Sequence, residues 1–90
     1  MLSAPLPTRF DLRAEPSPGL LPRLLQPFAK RDVTPDFFQS RQGVEEMEIT
    51  ITCQDLEPGM AALSAGNLGQ VIGVNRVVVT LAESLATRLA

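Results

Sequence analysis

Between Glu45 and Cys53 the sequence EEMEITITC alternates polar and apolar side chains. Met47, Ile49, Ile51 and Cys53 fall on one side, and Glu46, Glu48, Thr50 and Thr52 on the other. A repeat of two is the signature of an extended chain with one buried face. The residues that build a layer over that apolar side, and the strands that pair beside it, must come from the rest of the chain.

A second stretch repeats the pattern. In TRFDLRA, residues 8–14, Phe10, Leu12 and Ala14 lie opposite Arg9, Asp11 and Arg13. VNRVVVTL, residues 74–81, is rich in β-branched residues and is expected to be a strand as well. Asp32 and Pro35 mark a turn, after which DFFQSRQ is expected to extend as a strand up to Gly43. Phe37 and Phe38 then face opposite ways, so one of them points away from the covered side.

Two stretches have helical spacing. From Gly19 to Arg31, Leu20, Leu21, Leu24, Leu25 and Phe28 recur as one apolar stripe, with Lys30 and Arg31 near the end, where cations suit the helix dipole. DLEPGMAALSAGNLGQVIG predicts a second helix that starts between Asp55 and Pro58, turns Met60, Leu63, Leu68 and Val71 inward, and stops at Gly73. Within it, Gly66 and Gly69 each cost roughly 0.5 to 1 kcal/mol relative to alanine. Close approach of backbones is their expected return. The last residues, AESLATRLA, can add a short helix with Leu81, Leu85 and Leu89 in line.

The first helix opens in a segment crowded with proline, EPSPGLLPRLLQPF. Ser17 is expected to cap it, with Pro18 at the first position, where a missing N–H costs nothing. If the regular turns begin near Pro22, only Pro27 is interior, and a kink is expected there.

Strand, helix, strand, strand, helix, strand is the order of two split βαβ halves. It predicts an α+β, ferredoxin-like βαββαβ domain: a four-stranded antiparallel sheet in the order 4-1-3-2 with two helices on one face. The halves even share a phrase, EPSPGL before the first helix and LEPGM before the second. Residues 1–7 read as a lead, 8–81 as a single domain and 82–90 as a tail.

Composition narrows the function. A domain of 90 residues buries only roughly 60 to 65% of its unfolded surface, so burial against a partner is expected. The net charge is -2 with acids and bases interspersed, which gives no basic patch for phosphate backbones. The outward positions of the first and third strands hold Arg, Asp, Glu and Thr rather than stacking aromatics, so nucleic acid is not an expected partner. The chain has no His, Trp or Tyr, which removes the usual general base and the commonest metal ligand. Its one cysteine, Cys53, sits among inward strand positions and reads as a buried hydrophobe, so neither the paired cysteines of a soft-metal carrier nor a disulfide is available. The expectation is a protein without catalytic residues, metal or cofactor. The opening MLSAPLP lacks a basic start and is too short for a signal peptide, and no run reaches the length of a membrane span, so a soluble, cytoplasmic protein is expected. On the open side, Arg9 and Arg13 against Glu46 and Glu48 read as cross-strand pairs.

One resemblance adds to this. The run TRFDLRAEPSPGLLPRLLQPFAKRDVTPD resembles the start of an ACT domain, in which the first strand leads into a loop of the form Glu/Asp-Asn-x-Pro-Gly-Val/Leu-Leu and a helix ending in a phrase like Phe-x-x-Arg-Gly. Glu15, Pro18, Gly19, Leu20 and Leu21 match the loop, and Phe28, Lys30 and Arg31 the helix end. The closing IGVNRVVV is similar to the family's last loop and strand, and in length the chain resembles the small regulatory subunits of acetolactate synthase. The resemblance implies a regulatory domain that forms a homodimer, binds a small amino acid at the interface and serves a larger catalytic subunit. Ser17, Gly19, Leu20 and Leu21 are the implied effector-binding positions, because backbone N–H groups at a helix start can hold a carboxylate. The chain departs from the family at Pro16, which stands where the pattern has Asn and supplies neither an amide side chain nor an N–H. That departure leads toward the alternative, a subunit that dimerises and docks on its enzyme without an effector.

Overall fold

In the computed structural model, residues 6–81 are described. Six elements follow in order: β1 (Leu6–Ala14), α1 (Leu20–Ala29), β2 (Phe37–Gln42), β3 (Met47–Leu56), α2 (Pro58–Gly69) and β4 (Val74–Leu81). The strands form one sheet in the order β2-β3-β1-β4, all neighbours antiparallel, which is the expected order read from the other edge. β1 starts two residues before the expected position, with Leu6 paired to Leu56. The expected helix in 82–90 lies outside the described residues.

The two alternating strands are the centre of the sheet. Their inward residues Phe10, Leu12, Ala14, Ile49, Ile51 and Cys53 are buried beneath Leu20, Leu24 and Phe28 of α1 and Ala61 and Leu68 of α2. Phe10 and Phe28 meet edge to face with ring centres 5.4 Å apart, which fixes α1 over β1. Of the two phenylalanines of β2, Phe38 packs against this core and Phe37 faces out, 47% exposed. The turn at Gly43 is tight: its N–H donates to the Glu46 carbonyl at 2.8 Å.

The helices depart from expectation in five respects. Ser17 does not cap α1; Gly19 does, in the left-handed conformation with φ 77°, so the helix starts only at Leu20. Leu25 and Leu63, both expected inward, are exposed. In α2 the inward positions are Ala61, Ser64 and Leu68, so two of the three are small; Ser64 is fully buried and, among the described residues, its hydroxyl has no hydrogen-bond partner. Gly66 and Gly69 do not mark a close approach, since a Cβ at either would meet nothing within 4 Å. Finally, α2 stops at Gly69 rather than Gly73, which instead turns into β4 with φ 100°.

Candidate functional site

The open face of the sheet is a network of charges that satisfy one another. Arg13 lies directly across from Glu48 and reaches Glu46 at 3.5 Å and Glu48 at 3.8 Å. Arg41 donates to Glu48 from the neighbouring strand, Arg9 holds Asp11 at 2.9 Å, and the Thr50 hydroxyl donates to Asp11 at 3.1 Å. The hydrogen bond from Arg41, then its charge and that of Arg13, hold the Glu48 carboxyl below its usual range. The expected cross-strand pairs form at Arg13 and extend by one strand to Arg41, whereas Arg9 pairs with Asp11 on its own strand rather than with Glu46 or Glu48. Exposed pairs of this kind contribute little to stability, and Arg76, which lines the same face, has no acidic partner within 4 Å among the described residues.

Cys53 is a packing residue. Burial, followed by the nearby Asp36 charge, pushes its thiol up to about 11, so it is protonated and inert at neutral pH. Among the described residues, no group of three or more His, Cys, Asp or Glu is placed to hold a metal, and no helix is long and apolar enough to cross a membrane.

The remaining candidate is the loop between β1 and α1. Five residues, Glu15 to Gly19, separate the strand from the helix, and all five are exposed. Their ends are fixed. The Glu15 N–H donates to the Gly73 carbonyl at 2.8 Å, and the Leu20 N–H to the Ser17 carbonyl at 3.2 Å. Glycine at position 73 suits the φ of 100° that this contact takes, while a Cβ there would meet the Glu15 carbonyl oxygen at an ordinary contact distance of 3.5 Å. The result is a shallow depression of about 520 Å³ whose floor includes Leu21 and Met47 and whose rim is Pro16, Ser17 and Gly19.

The four expected effector positions have different standing within it. Ser17 is exposed, and its hydroxyl accepts from Arg23 at 3.2 Å. Leu20 is buried and its N–H is engaged, so it anchors the loop. Pro18 and Pro22 carry no N–H. Among the described residues this leaves the N–H groups of Gly19 and Leu21 without a backbone partner at the helix start, where they and the dipole favour an anion.

Sequence reasoning missed Arg23. Its guanidinium folds back over the loop, donating to Ser17 and, at 3.4 Å, to the Pro18 carbonyl; a Cβ on Gly19 would lie 3.3 Å from it. The signal was present, because Arg23 follows Gly19 by four residues and so returns to the same side of the helix. Met47 was read only as an inward strand residue. It borders the loop because it pairs with Ala14, the last residue of β1, and that register is not written in local sequence.

Strand order, helix placement and this loop define a ferredoxin-like βαββαβ domain with its candidate site at the start of the first helix. The chain belongs to the ACT-like domain family, whose sequence model matches residues 3–86. Comparison with curated protein sequences yields no match. Among solved structures, the ACT domain from GTP pyrophosphokinase of Chlorobium tepidum superposes with a TM-score of 0.72 at 12% identity, covering 84% of this chain and 99% of that one. The C-terminal domain of the MgtC protein from Mycobacterium tuberculosis gives 0.71 at 15% identity, covering 88% and 89%. The regulatory subunit of aspartate kinase from Thermus flavus gives 0.59 at 13% identity, covering 88% and 57%. At such identities the likeness is one of fold.

Proposed function

We propose that this protein is a non-catalytic regulatory domain that pairs with a second copy and binds a small apolar amino acid in the β1–α1 loop, as the small subunit of an amino-acid biosynthetic enzyme. The observation that carries the reading is the loop's start to α1. Two N–H groups there, those of Gly19 and Leu21, have no backbone partner, and the Arg23 cation lies beside them. A ligand carboxylate would accept from both N–H groups and from Arg23, while an aliphatic side chain would lie over Leu21 and Met47. Membership in the ACT-like family supports a regulatory role, as does the fold shared with the regulatory subunit of an aspartate kinase.

Pairing is supported by the edges of the sheet. β2 is an edge strand that carries the exposed Phe37, and the opposite edge carries Val78, 40% exposed. A dimer is expected on gel filtration at micromolar concentration; strictly monomeric elution would remove this part of the proposal.

Binding would stabilise the folded state by mass action. Melting the protein with each of the twenty amino acids at millimolar concentration should raise Tm for one or a few small apolar ones. An unmoved Tm for all twenty would overturn the effector reading. A second reading then stands, a pure interaction subunit that dimerises and docks on a larger enzyme. What favours it is Pro16, which offers the loop neither amide nor N–H.

A further inference from the structure

A second polar depression, of about 330 Å³, lies on the helical layer where the last turns of α1 and α2 come together. Three cations line it, Arg23, Lys30 and Arg31, with the amides of Gln26, Asn67 and Gln70 between them and no carboxylate. On the open face, Arg9, Arg13 and Arg41 each have an acidic partner within 4 Å, and Arg76 is the one cation there without one among the described residues. Among the described residues, the cations of this cleft have none. In a protein of net charge -2, three cations in one place with no counter-charge is a local reversal of sign.

Arg31 is also held in position. From the turn after α1 it donates to the Pro27 carbonyl of that helix at 2.9 Å, and with the Asn67 amide oxygen turned toward it, its two terminal nitrogens lie 3.2 and 2.7 Å from that oxygen on α2. A guanidinium carries five N–H donors, so these three contacts fix the plane and leave two donors unspent. Arg23 has a buried Nε without a partner. A single carboxylate is matched by one arginine fork, whereas a dianion with several acceptor oxygens uses an arginine, a lysine and amide donors together.

We infer that this cleft binds a small phosphate-bearing anion. The phosphate would accept from Arg31 and Lys30, with Gln26 and Gln70 at its remaining oxygens. This site is separate from the amino-acid loop except for Arg23, so the test uses the other two cations.

The experiment titrates the whole protein with inorganic phosphate, and in parallel with phosphoserine, following ¹⁵N-¹H spectra at constant ionic strength set with sodium chloride. Lys30→Gln and Arg31→Gln are compared with the unaltered protein. Saturable shifts confined to residues around Lys30, Arg31, Asn67 and Gln70 are expected, with Kd raised about tenfold in Lys30→Gln. If Arg31→Gln is poorly folded, Lys30→Gln alone decides, since the exposed Lys30 side chain makes no hydrogen bond or ion pair among the described residues and its helix-end bond to Gln26 is a backbone one. Tighter binding of phosphoserine would identify an organic phosphate as the ligand, and equal binding inorganic phosphate; both support the inference. Shifts that do not saturate, that are unchanged in Lys30→Gln, or that arise only with an acidic peptide such as oligoglutamate would overturn it.

Discussion

The two halves of the molecule start their helices with nearly the same words and fold them differently. In EPSPGL the glycine stands outside the helix, Gly19 at the N-cap with φ 77°, and five residues separate strand from helix. In LEPGM a single residue, Glu57, separates β3 from α2; Pro58 takes the first helical position and Gly59 lies inside the first turn. Proline at the first position leaves no orphan donor there and carries the chain directly into regular turns. A left-handed glycine delays the helix, leaves a loop exposed and turns N–H groups toward solvent. Both helix starts leave N–H groups without a backbone partner among the described residues, so what sets the first apart is its exposed five-residue loop with Arg23 folded over it, and the glycine's position relative to the helix accounts for that loop.

The largest expected difference between the halves lies in how each helix is held. α1 buries Leu20, Leu24 and Phe28, whereas α2 buries one large residue, Leu68, with Ala61 and Ser64. Leu24→Ala, at a fully buried position, should cost about 2 to 5 kcal/mol in urea unfolding. Leu63→Ala on α2, at a residue 51% exposed, should stay within about 0.5 kcal/mol. Equal losses at the two sites would mean that the helices bear equal shares of the core.

The glycines should respond with opposite signs. Alanine at position 19 must adopt a left-handed conformation, which costs about 1 to 2 kcal/mol, and its Cβ would press on Arg23. Alanine at position 59 meets only a Glu57 side-chain oxygen at 3.9 Å and should stabilise by about 0.5 to 1 kcal/mol through helix propensity. Thermal melts of Gly19→Ala and Gly59→Ala that moved the same way would break the comparison.

A smaller effect is expected at Ser64, where α2 buries a hydroxyl with no partner. Ser64→Ala removes the unsatisfied group and should stabilise by about 1 kcal/mol. A loss of stability in the same unfolding measurement would show that the hydroxyl is hydrogen-bonded after all.

Much of the fold was legible because it depends on period. The alternation in 8–14 and 45–53 specified which side of each central strand is buried, and every inward residue lies on the covered face. The stripe of α1 held for the same reason, apart from Leu25 at its margin. Errors gathered in α2, where the sequence offers small residues on all sides. With Ala, Ser and Gly available, large residues need not face the sheet, and Leu63 turned to solvent while Ser64 turned in.

The candidate site was legible in part. The loop could be placed because proline and glycine next to a strand end restrict the backbone. Its cap was misjudged because Ser17 has the right chemistry for capping but stands too early, and a left-handed glycine starts the helix instead. Arg23 and Met47 reach the loop through helical return and strand register, which depend on tertiary arrangement. The cleft at Lys30 and Arg31 was invisible for a similar reason, since those cations read locally as companions of a helix end.

The central claim is that an amino acid binds where the first half leaves N–H groups open beside an exposed loop and the Arg23 cation, and not at the start of α2, where the Gly59 and Met60 N–H groups are also open but Glu57 stands beside them instead of a cation. The most direct test follows backbone amide resonances while the amino acids are added singly at millimolar concentration. For at least one amino acid, the Gly19 and Leu21 amides should shift and saturate together, while those of Gly59 and Met60 at the start of α2 stay in place. Gly19 and Leu21 unmoved by all twenty, or shifts equal at the two helix starts, would contradict the account.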